Sequence, residues 1–164
     1  MLIEKMEKYI SPFVTTCEDV FCDFVGTSLT AERSYISNKN DDHEWEISAI
    51  IAFTGEAKGM IVISMQKEPA LKIAETLTGT VHTDIDNEVI DAVGEIVNII
   101  AGNAKKGLEE TFKLFISLPL IVMGKNHKVI WPEESTRIIS VIFKIFEIDS
   151  LCFSITIRAA GEKK

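Results

Sequence analysis

Residues 84–112, DIDNEVIDAVGEIVNIIAGNAKKGLEETF, carry the longest helical pattern in the chain. Asp84, Asp86 and Glu88 crowd its start, where the helix dipole favours negative charge. Val89, Val93, Ile96, Val97, Ile100, Ala104 and Leu108 recur on one broad apolar face. Asp91, Glu95, Asn98 and Gly102 step by four, three and four, so they line up opposite that face, and Lys105 and Lys106 close the stripe. The spacing predicts a helix with one side in a core and the other presenting a carboxylate, an amide and a gap. Most polar helix faces are merely solvated. Asn and Gly argue for more here, because relative to Ala they cost up to about 0.7 and about 1 kcal/mol in a helix.

Working outward, Leu2–Val25 has apolar residues at helical spacing, with Ser11-Pro12 as an interruption and Gly26 as the stop. Strands are predicted over Leu29–Ile36, Trp45–Phe53 and Gly59–Met65, the last two joined by a turn at Thr54–Lys58. A short helix over Glu68–Leu77 leads to the long one. Beyond it, Leu120–Met123 and Lys128–Ile130 are short strand-like pieces around Gly124, and Thr136–Phe146 and Leu151–Ile157 form a hairpin. Helices grouped apart from hairpin-linked strands predict an α+β fold, with long helices layered on a largely antiparallel sheet. Each half opens on a long helix and continues in hairpins, which raises a duplication. No linker divides residues 1–164, so one domain is expected.

Hydrophobic residues at 46% and charged residues at 26% describe a globular chain. The net charge of −8 without a basic cluster argues against nucleic acid or an anionic membrane as partner. No apolar run approaches the roughly 20 residues of a membrane span. Glu4, Lys5, Glu7 and Lys8 do not read as a signal peptide. Cys17, Cys22 and Cys152 show no pairing or metal pattern and read as reduced, buried thiols of a cytoplasmic protein. His43, His82 and His127 all fall in predicted loops and read as surface histidines, so no Ser/His/Asp or Cys/His set assembles. Nucleotide loops and zinc-protease motifs are absent from the sequence. Asp91 and Glu95, one turn apart, leave acid–base work or a metal open as a weak alternative.

Asp91-x3-Glu95-x2-Asn98-x3-Gly102, with Ser11-Pro12-Phe13-Val14 and Gly55-x3-Gly59-Met-Ile-Val-Ile-Ser-Met, resembles the signature of the CheC/CheX/FliY family of chemotaxis phosphatases. The resemblance implies a pseudo-duplicated, two-layer fold in which members with two sites carry the motif in both long helices. Here the first helix holds Glu4 and Glu7 without Glu-x-x-Asn, a single-site pattern closest to the CheX branch. The implied activity is hydrolysis of the aspartyl phosphate on the phosphorylated response regulator CheY. Asn98 would position water, Glu95 would pair with a partner lysine, and Asp91 and Gly102 would support the contact. No cofactor or metal is expected on this chain; Mg2+ is expected on the regulator. Gly59–Met65 and Lys128–Ile130 read as strands that leave a sheet edge open to pairing between chains, and the resemblance implies a homodimer joined through strands. The competing implication is a non-catalytic interaction module of the flagellar switch built on the same fold.

Overall fold

The computed structural model describes residues 2–37, 44–110, 113–130, 138–146 and 149–159. Its elements run α1 (Leu2–Val20), a π-helical turn (Phe21–Val25), β1 (Thr30–Ser37), β2 (Trp45–Gly55), β3 (Ala57–Met65), α2 (Lys67–Thr78), α3 (Asn87–Leu108), β4 (Leu114–Ile116), β5 (Leu120–His127), β6 (Ile138–Ile145) and β7 (Asp149–Ala159). The strands form one antiparallel sheet in the order β1-β6-β7-β3-β2-β4, with β5 also on β2. The predicted α+β class therefore holds.

The alternation of β2 decides where the helices sit. Ile47, Ala49, Ile51 and Phe53 are buried and share the main core with all three helices. Phe13 of α1 stacks on Phe53 with ring centroids 6.2 Å apart. Ile96 and Ile100 supply α3's share, each essentially inaccessible to water, so truncating either to Ala costs about 2–5 kcal/mol. The opposite sheet face holds a separate small cluster of Trp45 and Ile142, with Tyr35 against it.

The sheet order is a palindrome. With β5 taken as the neighbour of β2 and the short β4 left aside, exchanging β1 with β5, β2 with β6 and β3 with β7 reverses it onto itself, with the β3–β7 pair at the centre. The resemblance between the halves is thus written into the strand pairing.

Several expectations are corrected. Pro12 does not break the first helix, which continues through it to Val20 and ends on Gly26 in the left-handed conformation, φ 72°. The Pro12 ring faces Gly107 of α3, where an added Cβ would stand 3.4 Å away, so close helix contact accommodates the proline. Gly59–Met65 is no sheet edge, since β3 is paired along its length with both β2 and β7. Gly59 has no room for a Cβ, which would meet the Thr156 carbonyl and the Phe53 ring. Lys128–Ile130 is not strand; β5 instead runs unbroken through Gly124 to His127. The long helix starts at Asn87 and ends at Leu108, and Phe112 and His43 lie outside the described residues. No described helix is long and apolar enough to cross a membrane.

One irregularity lies beside α3. Ile116 pairs with Phe53, Ser117 exchanges hydrogen bonds with Ala52, and Leu120 pairs with Ile50. Leu118 and Pro119 are thus two residues set opposite the single Ile51, a bulge between β4 and β5. Proline suits it, because it has no N–H to give to the ladder.

Candidate active site

Local chemistry fixes the start of α3. Asp86, with extended backbone, accepts the Val89 N–H at 3.0 Å as N-cap. Its other oxygen lies 3.0 Å from Nδ1 of His82. His82 is buried, with Nε2 3.2 Å from Thr78 Oγ1 and 3.6 Å from Glu88, so it ties the end of α2 to the start of α3. This corrects its reading as a surface histidine; the turn after Gly79 folds back over it. Asp84 meets Lys67 Nζ at 3.0 Å. Both aspartates are held below the ordinary carboxylate range, Asp84 first by Lys67 and Asp86 first by the Val89 N–H.

With its start anchored and its apolar arc buried, α3 turns the predicted stripe outward. Asp91 and Glu95 are exposed, while Asn98 and Gly102 are half-buried. The four lie within about 60° of one another around the helix axis. Among the described residues, no hydrogen bond or ion pair within the chain engages the side chains of Asp91, Glu95 or Asn98. A Cβ built on Gly102 meets nothing within 4 Å. Lys105, assigned to the same stripe, turns to Glu109 at 3.2 Å, and Lys106 is exposed. The stripe therefore offers two unengaged carboxylates, an unengaged amide and an open gap.

Gly94 brings a wall to one side of it. From the position its Cβ would take, Ile121 Cδ1 is 3.7 Å away and Pro119 Cγ 3.8 Å away. Gly94 lies about 40° from Asn98 on the side away from Glu95, so the wall stands along the Asn98 edge. The sequence reading missed this element, because pairing of β5 with β2 and its approach to α3 are long-range contacts.

The other chemistry-bearing residues do not join this site. Ser48 Oγ lies 2.7 Å from Nε2 of His127 and 2.7 Å from Ser64 Oγ. Nδ1 of His127 donates to the Gly124 carbonyl at 2.8 Å. A Ser/His pair thus does form, against expectation, but Ser48 and Ser64 are buried and the pair fastens β5 to β2 and β3. Cys17 is buried, and desolvation, with the charge of Glu18 behind it, pushes its thiol far above the ordinary range. Cys22 is exposed, contrary to the buried reading, and the side chain of Cys152 lies outside the described part. Among the described residues no three His, Cys, Asp or Glu side chains gather at metal-binding range.

The profile of the family described as "Chemotaxis phosphatase CheX" matches residues 47–143, more than half of the 164 residues, from β2 through α3 into β6. The chain belongs to the CheX family of chemotaxis phosphatases. It is similar to the CheY-P phosphatase CheX of Thermotoga maritima, with 24% identity over 134 residues covering 80% of this chain and 83% of the relative. The crystal structure of CheX from Vibrio vulnificus superposes with a TM-score of 0.83 at 25% identity, covering 92% of this chain and 99% of the other. The CheX-CheY-BeF3-Mg+2 complex from Borrelia burgdorferi matches with a TM-score of 0.71 at 27% identity, covering 92% of this chain and 97% of the other. The fold is that of CheX structures.

Proposed function

We propose that this CheX-family phosphatase hydrolyses the aspartyl phosphate of a CheY-type response regulator, with one site per chain at Glu95 and Asn98 and with residues 1–164 acting as one domain. The observation that carries the reading is the unengaged, outward pair of Glu95 and Asn98 in the middle of a helix whose other face is locked in the core. The relative from Thermotoga maritima is named for action on CheY-P, and the Borrelia burgdorferi structure holds CheX with CheY, BeF3 and Mg2+.

An aspartyl phosphate is an acyl phosphate and needs little chemical activation. Water oxygen bonds to phosphorus, the phosphorus–oxygen bond to the aspartate breaks, and inorganic phosphate leaves with the regulator's carboxylate restored. The protein's part is to position the water in line and to support the charge. The Asn98 amide accepts from that water and stays neutral at every working pH. Glu95, one turn away, pairs with a lysine of the regulator, and Asp91 and Gly102 line the contact. Mg2+ belongs to the regulator and supplies charge neutralisation there. The first helix holds Glu4 and Glu7 without Glu-x-x-Asn. An ionised carboxylate where the amide is needed sets a negative charge beside phosphate, which supports a single site.

The reading includes a two-fold homodimer joined through an edge strand, leaving both α3 stripes open. Light scattering at micromolar concentration decides it; a mass near 18.3 kDa would end the dimer. For the reaction, phosphate loss from a charged regulator is timed with the parent and with Asn98→Ala. Turnover is expected to disappear while complex formation persists. An Asn98→Ala protein that still accelerates phosphate loss refutes the mechanism. A parent that binds the regulator without accelerating it identifies an interaction module.

A further inference from the structure

The bulge opposite Ile51 changes which way Leu118 points. Counting from β4, Leu114 and Ile116 share the helix-bearing face with their partners Gly55 and Phe53, and the next residue on that face is Leu118. Counting back from β5, Met123 and Ile121 share it with Ile47 and Ala49, and the next is Pro119. The extra residue therefore puts both Leu118 and Pro119 on the face that carries α3. Pro119 uses that direction to pack beside Gly94. Leu118 does not; it is 85% exposed, the most exposed of the large apolar side chains described.

Its position follows from the chain path. The strand returns alongside α3 from the C-terminal end of the helix, and Leu118 precedes Pro119. It thus stands one residue step, about 3.8 Å, from Pro119 toward the C-terminal end of α3, the direction in which Asn98 follows Gly94. Its support is firm as well. The Ser117 N–H donates to the Ala52 carbonyl at 2.8 Å, the Ala52 N–H donates to Ser117 Oγ at 3.0 Å, and that hydroxyl donates to the Leu118 carbonyl at 2.9 Å. Pro119 fixes the following φ. A leucine held out into water on a braced segment, next to the proline that walls an unengaged polar site, is an arrangement suited to a partner's apolar surface.

We infer that Leu118 is a docking residue for the phosphorylated regulator: it seats in an apolar depression beside the regulator's phosphorylation site and so sets the acyl phosphate against Asn98. The inference rests on the proposed function and names the apolar half of that contact, Glu95 being the charged half. The occupant is the regulator and not a second copy, because a phosphoryl group within hydrogen-bond reach of Asn98 requires its bearer to cover the ground where Leu118 stands. An interface of ordinary size, about 800 Å² a side, extends well past one helical turn.

The test uses the full chain and a CheY-type regulator charged with acetyl phosphate, comparing the parent, Leu118→Ser, Leu118→Met and Asn98→Ala. Leu118→Ser is expected to raise KM about ten-fold, or about 1.4 kcal/mol, with kcat at saturation and the urea midpoint retained. Leu118→Met is expected to restore KM to within about two-fold. An unchanged KM in Leu118→Ser overturns the inference. So does a lower mass by light scattering with KM unaltered, which would assign Leu118 to contact between copies. If Asn98→Ala abolishes turnover while Leu118→Ser leaves KM alone, the docking inference fails and the catalytic reading stands. If Asn98→Ala turns over normally, the catalytic reading itself fails.

Discussion

Gly102 separates what the fold needs from what the partner needs. It sits in the interior of α3, and no heavy atom lies within 4 Å of the Cβ that alanine would add. Gly102→Ala therefore removes no contact and creates no clash. The gain is the difference in helix propensity, about 0.8–1.0 kcal/mol, most of it from restricting the unfolded chain. For a domain of this size that raises Tm by about 2–4 °C, and with an m-value of about 2 kcal/mol/M it moves the urea midpoint up by about 0.4–0.5 M. If the gap admits the regulator's backbone, the same methyl group should lower kcat/KM by about ten-fold, some 1.4 kcal/mol of lost complementarity. Denaturation followed by circular dichroism and a phosphate-release assay give the two numbers on one preparation. A stabilised variant with unaltered kcat/KM would show that the gap serves nothing in the reaction. A destabilised variant would refute the open placement of Gly102 itself.

Glu95→Lys should raise KM for a charged regulator and leave the midpoint of unfolding nearly unchanged, since Glu95 is exposed and unengaged; a charge-swapped regulator lysine should restore part of the loss, and a double-mutant cycle without coupling would remove the pairing role. Gly59→Ala should destabilise by about 3 kcal/mol or fail to fold, because its methyl group meets the Thr156 carbonyl and the Phe53 ring at once. A soluble variant with parental stability would be inconsistent with the β3–β7 register. Acid should weaken the start of α3: the carboxyls of Asp84 and Asp86 are depressed in the folded chain, so their contribution is full above the ordinary aspartate range, near pH 4, and lost as pH falls through the depressed values. Asp86→Asn should flatten that part of the stability–pH curve; an unchanged acid limb would assign it to other carboxylates.

The stripe was legible because its residues are locally wrong for an ordinary solvated face, Asn and Gly where Ala, Glu or Lys would be better. The helix periods and most strands were legible for the related reason that burial on one face leaves a period in the sequence. Pro12 misled because proline's local penalty is visible in sequence, whereas Gly107 opposite it is not. His82 looked like a loop histidine, since only the fold brings Thr78, Asp86 and Glu88 around it. Gly59–Met65 looked like an edge because its second partner, β7, lies far along the chain. The wall of Pro119 and Ile121 shared that obscurity, and the bulge behind it appears only when two registers along β2 are compared.

The central place of β7 carries a consequence for synthesis. The last of the described strands in chain order is laid between β6 and β3, so two unjoined half-sheets are synthesised before the element that welds them. Until then β3 and β6 each expose a ladder edge bordered by aliphatic side chains, the kind of surface that holdase chaperones recognise and that recruits other nascent chains. Folding should thus complete in a single late step, gated by emergence of residues 149–159 from the exit tunnel, and arrested chains stalled before Asp149 should stay protease-sensitive throughout β2 and β3 despite containing both strands in full.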